Sequence, residues 1–188
     1  MITGYTNDLP SDCLLDTGVL FKGAVAFATS NGGLKFDPKR TTRQIQFDGL
    51  RSAIAGNDRT TGWDPTISGT ILQFNADQIA AFETDMDSAS ASGVLTYTPK
   101  EAGVLFTVGN YIADLRLMFE RAGSTVDSPL YAAVYFPKAL CEKYSLDGKD
   151  KEEGQIACEF HARLDMSQEG AKITDPPYKI ELRTSLPA

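Results

Sequence analysis

Apolar and polar residues alternate with a period of two along most of this chain, and that alternation predicts strands. In residues 19–27 the odd positions Val19, Phe21, Gly23, Val25 and Phe27 oppose Leu20, Lys22, Ala24 and Ala26. Ser30-Asn31-Gly32-Gly33 follows, and Asn-Gly supplies the positive φ angles of a tight hairpin turn, so the chain is expected to reverse there. Leu34 and Phe36 resume the pattern on the return arm. Residues 43–48 place Ile45 and Phe47 on one face, 66–74 is a β-branched run, and Leu115, Leu117 and Phe119 face away from Arg116 and Glu120. Residues 130–136 are apolar on both faces, which predicts a central strand.

Two strands stand out near the C-terminus. In 155–165 the even positions Ile156, Cys158, Phe160, Ala162 and Leu164 are apolar; in 178–183 Tyr178, Ile180 and Leu182 alternate with Lys179, Glu181 and Arg183. Strands with one face in a core and one in water belong to antiparallel sheets. One segment departs from the rule. Ile79, Phe82 and Met86 form a helical stripe in 75–88, and Asn75 with Gln78 fits a capping box at its start.

Low-apolar stretches at 37–42, 55–64, 123–129, 147–154 and 167–177 read as loops, and 48–64 is the longest segment without a predictable pairing. The expected architecture is mainly β: an antiparallel sandwich or barrel with one flanking α-helix at about residues 75–88. It forms a single domain, 18–183, between an N-terminal arm (1–17) and a C-terminal tail (184–188).

Composition narrows the function classes. The chain has 188 residues, with 18 Lys plus Arg against 25 Asp plus Glu, a net charge of −7. Capture of nucleic acid through a basic surface is disfavoured, because it needs clustered cations to displace phosphate counterions. The charge is uneven: residues 1–74 hold 7 of each sign, 75–140 hold 4 basic against 8 acidic, and 141–188 hold 7 against 10. Asp77, Glu83, Asp85 and Asp87 make an acidic face on the predicted helix. The last three lie toward its C-terminal end, where the macrodipole disfavours them. No run approaches the ~20 apolar residues of a membrane span, and the first residues lack the basic and apolar regions of a signal peptide. Cys13, Cys141 and Cys158 are widely spaced and odd in number, which predicts reduced thiols in a cytosolic setting.

Candidate chemistry is sparse. Nucleophilic triads need a histidine, and His161 is the only one, on the polar face of its strand, where it reads as a surface residue. Pairs such as Asp85 with Asp87, or Glu152 with Glu153, are ordinary for so acidic a chain. No spacing of ligands suggests zinc or calcium, and Asn31-Gly32-Gly33 lacks the Lys-Ser/Thr ending of a phosphate loop. The expectation is therefore no catalytic residue, no cofactor and no metal. Trp63, in Thr61-Gly62-Trp63-Asp64-Pro65, is a candidate sugar platform or interface anchor, and folding back onto the core is the equal alternative. A jelly-roll module binding glycans or a receptor stays open on these residues.

Three stretches carry a family resemblance: Arg43-Gln44-Ile45-Gln46-Phe47-Asp48-Gly49-Leu50-Arg51-Ser52-Ala53-Ile54-Ala55-Gly56, Trp63-Asp64-Pro65-Thr66-Ile67-Ser68-Gly69-Thr70-Ile71-Leu72-Gln73-Phe74, and Tyr131-Ala132-Ala133-Val134-Tyr135-Phe136-Pro137-Lys138-Ala139. Together with 153–165 they resemble the major tail tube proteins of long-tailed bacteriophages, over about residues 15–183 in order of elements. The resemblance implies a β-sandwich or barrel subunit that assembles as hexameric rings. The rings stack into the tail tube of the virion, the conduit for genome delivery, after assembly in the host cytoplasm. It implies tape measure, tail terminator and distal tail proteins as partners, with DNA passing through unbound. A long loop between early strands reaches the adjacent ring in such proteins. Here 48–64 matches it, with Arg51, Arg59, Trp63 and Asp64 as interface candidates, and the hairpin near Asn31 competes for the role. A tube protein of a contractile tail or of a secretion-type injection machine is the sibling reading. The charge agrees with a conduit: six copies of −7 carry −42, which repels the polymer.

Overall fold

The computed structural model describes residues 14–45, 52, 55–72, 75–101, 103, 105–148, 154–167 and 170–187. Its elements in chain order are β1 (Leu14–Lys22), β2 (Val25–Asp37), β3 (Arg40–Gln44), β4 (Asp58–Trp63), β5 (Thr66–Ile71), α1 (Ala76–Phe82), β6 (Met86–Ala91), β7 (Val94–Pro99), β8 (Ile112–Arg121), β9 (Tyr131–Asp147), β10 (Gln155–Arg163) and β11 (Lys179–Arg183). The main sheet runs β10-β5-β2-β1-β8-β9-β11, and β9 also pairs with β10. That extra pairing joins six antiparallel strands into a closed ring, which removes their free edges. β11 hangs outside the ring on the first half of β9, opposite Tyr131–Tyr135, while the second half of β9 carries β10.

The expected mainly-β antiparallel class with one helix is what the structure has. Alternation works as read in β10, where Ile156, Cys158, Phe160 and Ala162 are buried. They join Leu20, Ile67, Ile71, Leu115, Leu117 and Phe136 in one core. Fully burying each large side chain contributes about 1.5–3 kcal/mol. β9 is apolar on both faces for a visible reason. Val134 and Phe136 enter that core, whereas Ala133 joins Phe21 and Met118 in a second cluster on the outer face.

Several expectations need correction. The chain reverses at Gly23-Ala24, where Lys22 pairs with Val25, and not at Asn31. Residues 31–33 stay inside β2 as an irregularity between Ser30 and Leu34, with Gly32 at φ 79° and Gly33 at φ 93°. A bulge uses the same positive φ angles as a turn. This one presses the backbone against β5, where a Cβ on Gly69 would lie 2.8 Å from the Gly33 carbonyl oxygen. The stretches 37–42 and 55–64, expected as loops, hold the start of β3 and the whole of β4, which among the described residues pair only with each other in a two-stranded arm; β3 ends at Gln44, within the alternation expected at 43–48, of which 46–48 lie outside the described residues. Residues 14–17, expected in an N-terminal arm, already belong to β1, with Leu14 and Leu15 opposite Arg121 and Glu120.

The helix is shorter than 75–88. Its start is as expected: the Asn75 amide donates to Gln78 Oε1 at 2.8 Å, and the Gln78 amide donates to Asn75 Oδ1 at 3.2 Å. Gln78 Nε2 then donates to the Phe27 carbonyl at 2.5 Å, fastening α1 to the barrel. Ala81 and Phe82 are buried, and Phe82 meets Phe27 and Phe160 at ring distances of 6.5 and 6.0 Å. The helix stops at Phe82, and the acids that follow, Glu83, Asp85 and Asp87, would be disfavoured at its negative end. Residues 86–91 form β6 instead, paired with β7.

β11 is a strand as expected, but its faces are reversed. Ile180 and Leu182 are 65% and 72% exposed, whereas Glu181 and Arg183 are half-buried and paired with each other at 2.9 Å. The ring closes through β10, so the side of β11 that bears Ile180 and Leu182 lies beyond the core and is left uncovered by the described residues.

Candidate functional site

The described chain leaves three surfaces unfinished: the β3–β4 arm, the β6–β7 hairpin and the outer strand β11. The arm begins at Lys39, whose positive φ of 37° turns the chain away from β2. It ends at Asp64, whose amide donates to the Lys39 carbonyl at 3.3 Å. Its rungs pair Arg40 with Trp63, Thr41 with Gly62, Thr42 with Thr60, Arg43 with Arg59 and Gln44 with Asp58. A further bond from the Ile45 amide to the Asn57 carbonyl, at 2.9 Å, extends it toward the tip.

A charged network holds the arm's base on the barrel. His161 Nδ1 sits 2.9 Å from Asp64 Oδ1, and its Nε2 lies 3.6 Å from both Glu142 Oε2 and Glu159 Oε1. Arg163 bonds Glu142 and approaches Asp64 to 3.9 Å, while Lys39 Nζ reaches Glu159 at 3.2 Å. The hydrogen bond from His161 holds the Asp64 carboxyl below its ordinary range of 3.8, against a smaller opposing push from burial. The sequence reading of His161 as a surface residue therefore misses its role, since its side chain is 12% exposed and enclosed by carboxylates. The available signal was Glu159 and Arg163 at two residues either side, on the same strand face.

Trp63 secures the same base. Its ring meets Tyr178 edge-on at 5.7 Å, Tyr178 meets Phe36 at 5.3 Å, and Phe36 meets Phe136 at 6.2 Å, an aromatic chain leading into the core. The Arg40 guanidinium lies 5.9 Å from the Trp63 ring centre. Of the four interface candidates, Trp63 and Asp64 are thus engaged within this chain, Arg59 is exposed on β4, and Arg51 lies outside the described residues.

The acidic set does not share one helix face. Glu83 accepts a hydrogen bond from Tyr144 Oη at 2.5 Å, which raises the Tyr144 hydroxyl from 10.0 to about 12, with burial adding to the shift. Asp85 and Asp87 stand at the stem of the β6–β7 hairpin, 3.9 and 3.8 Å from Lys100 Nζ. Asp77 is the second residue of α1, and its side chain lies outside what is described. The hairpin beyond that stem turns at Ser92 and Gly93, both at positive φ, and its strands are exposed almost throughout. One side-chain bond, from Tyr97 Oη to the Ala76 carbonyl at 3.3 Å, reaches back to the helix.

Cys141 and Cys158 are free and buried, and burial pushes their thiols from 9.0 to about 11 and 12, which leaves them unreactive near neutrality. Among the described residues no group of three or more His, Cys, Asp and Glu is arranged to hold a metal ion, and no helix is long and apolar enough to cross a membrane. Compared with known protein families and with curated proteins, the chain matches none.

Proposed function

We propose that this chain is a self-assembling structural subunit, the major tail tube protein of a long-tailed bacteriophage, which forms stacked hexameric rings. The observation that carries the reading is the β6–β7 hairpin: two six-residue strands that, among the described residues, pair only with each other and leave most of their side chains in water. An isolated two-stranded sheet is marginal in water and gains its stability from a further strand or a covering surface. The β3–β4 arm repeats the situation, and β11 adds an open strand edge bearing Ile180 and Leu182. All three favour a partner, and a second copy of the same chain supplies complementary edges at any concentration at which the protein is made.

The family likeness of residues 43–56, 63–74 and 131–139 gives the assembly its form: rings, a central channel, and DNA passing through without specific binding. The net charge of −7 per subunit supports a wall that repels the polymer. On this reading the tape measure, terminator and distal tail proteins meet the ends of the tube, and the protein works in the virion and not as an enzyme. A glycan-binding module is the weaker reading, because the Trp63 ring already meets Tyr178 on an edge and the Arg40 guanidinium over its face.

Purified protein concentrated at moderate salt and viewed by negative-stain electron microscopy is expected to show rings or tubes with an open centre. A species that stays monomeric by sedimentation velocity at every concentration and salt tried overturns the proposal.

A further inference from the structure

We propose that the groove on the β3–β4 arm docks the acidic stem of the β6–β7 hairpin of a second copy of this chain. The inference rests on the self-assembly proposed above and names the two surfaces that meet. It starts from an imbalance within the arm. Arg43 and Arg59 are direct cross-strand partners, so their side chains leave the same face with Cβ atoms about 5 Å apart. Like charges directly opposite destabilise a strand pair. Neither guanidinium has an acidic partner among the described residues, although Asp58 stands one rung away opposite Gln44.

Arg43 and Arg59 line one open groove of about 810 Å³, together with Thr42, Thr60 and Thr174. Two guanidiniums therefore share one face of the arm, and no carboxylate among the described residues pairs with either. The chemistry that completes them is a carboxylate, which a guanidinium binds through two parallel N–H donors.

The same chain carries such carboxylates elsewhere. Asp85 and Asp87 are two residues apart on one face of the hairpin stem, share the single cation Lys100, and Asp87 is 79% exposed. Glu101 follows, exposed, so the stem from 83 to 101 holds four acids against one lysine. The acids at 85 and 87 are not explained by helix stability, since they lie past the end of α1. Among the described residues the arm and the stem form no ion pair within one copy, so the match is made between copies, head to tail. Such a heterologous contact repeats without closing on a dimer, as stacking requires. A nucleic acid is the less favoured occupant. Two arginines on a chain of net charge −7 give little counterion release.

The test uses two charge-reversed full-length proteins, Arg43→Glu/Arg59→Glu and Asp85→Lys/Asp87→Lys, with Asp87→Lys alone as a milder version. Circular dichroism and a cooperative melt establish that each is folded. By sedimentation velocity, each alone is expected to need at least about tenfold more protein than the parent to assemble. An equimolar mixture is expected to regain association, because arm and stem are again opposite in sign between the two proteins. If the parent assembles and either variant assembles equally well, the docking proposal is overturned while self-assembly stands. If the parent stays monomeric and the mixture does too, both are overturned. A mixture that stays dissociated, with a DNA duplex bound by the parent but not by Arg43→Glu/Arg59→Glu, reassigns the groove to phosphate.

Discussion

Tyr144 lies flat on Phe82, with ring centres 5.3 Å apart and planes 16° from parallel, and its hydroxyl donates to Glu83 at 2.5 Å. One β9 side chain thus grips the last residue of α1 and the acid that follows it. This places Glu83 at the fastening of the helix end, where sequence alone suggested a solvated acidic face.

Removing only the hydroxyl separates the two contacts. Tyr144→Phe keeps the stack and loses the bond, and because both groups are only half-buried the expected cost is about 1 kcal/mol. Tyr144→Ala removes the ring as well and costs clearly more. Urea unfolding with an unchanged m-value measures both. A Tyr144→Phe protein as stable as the parent shows that the bond adds nothing.

Gly69→Ala tests the close approach between β2 and β5. The added Cβ would meet Leu34 Cδ2 at 2.7 Å and the Gly33 carbonyl oxygen at 2.8 Å. The first can swing aside, but the second is backbone in a central strand pair, so the strands must part. Overpacking of this kind costs about 1–3 kcal/mol. Gly148→Ala serves as the control, since its Cβ would meet open space and its φ lies outside the positive region. Equal melting temperatures for the two variants would show that the bulge yields without cost.

The same bulge marks where sequence reasoning stops. Asn31-Gly32-Gly33 and Gly23-Ala24 both carry glycine suited to a turn, and only the long-range pairing of Leu34 with Gly69 decides between them. Where one face meets the core, as in β10, period two reads correctly, and the Asn75–Gln78 box is legible because its geometry is local. β3 and β4 are hidden because Arg-Thr-Thr-Arg-Gln and Asp-Arg-Thr-Thr-Gly-Trp have no buried face to create an alternation. β11 is legible as a strand but not in its orientation, because ring closure through β10 leaves Ile180 and Leu182 uncovered. Of the candidate site, Arg59 is an interface candidate through the family resemblance alone, whereas its pairing with Arg43 and the His161 network emerge only when distant strands meet.

Alkaline pH is expected to weaken the fold before any peptide chemistry intervenes. Burial, with a hydrogen bond to Asp114, raises Tyr135 from 10.0 to about 12, and the Glu83 bond does the same for Tyr144. Burial raises Cys141 and Cys158 from 9.0 to about 11 and 12. Each folded value lies above the unfolded one, so the unfolded chain releases these protons first. The stability they contribute is complete below pH 9 and declines as pH rises toward 12. Urea midpoints measured at intervals from pH 8 to pH 11 should fall progressively, and a flat profile contradicts the assignment.

The acid side runs through His161 and Asp64. The ring's hydrogen bond is the largest influence holding the Asp64 carboxyl below 3.8, with the charges of His161, Lys39 and Arg163 adding to it. A folded value below the unfolded one means that the carboxylate stabilises the fold above pH 3.8, and that this contribution is lost as pH falls through the lower folded value. In His161→Ala the bond and the imidazole charge both disappear, while Lys39 and Arg163 remain. The Asp64 carboxyl is then expected to titrate at a higher pH than in the parent protein. Carbon-13 NMR of the Asp64 side-chain carboxyl through an acid titration reads the shift directly, and an unchanged titration would mean that Lys39 and Arg163 hold the carboxylate without the histidine. Because Asp64 directly follows β4 and bonds the Lys39 carbonyl, the same substitution should loosen the arm at its base, seen as faster amide exchange at Asp64 and Lys39 than at Ile67 and Phe160 in the core.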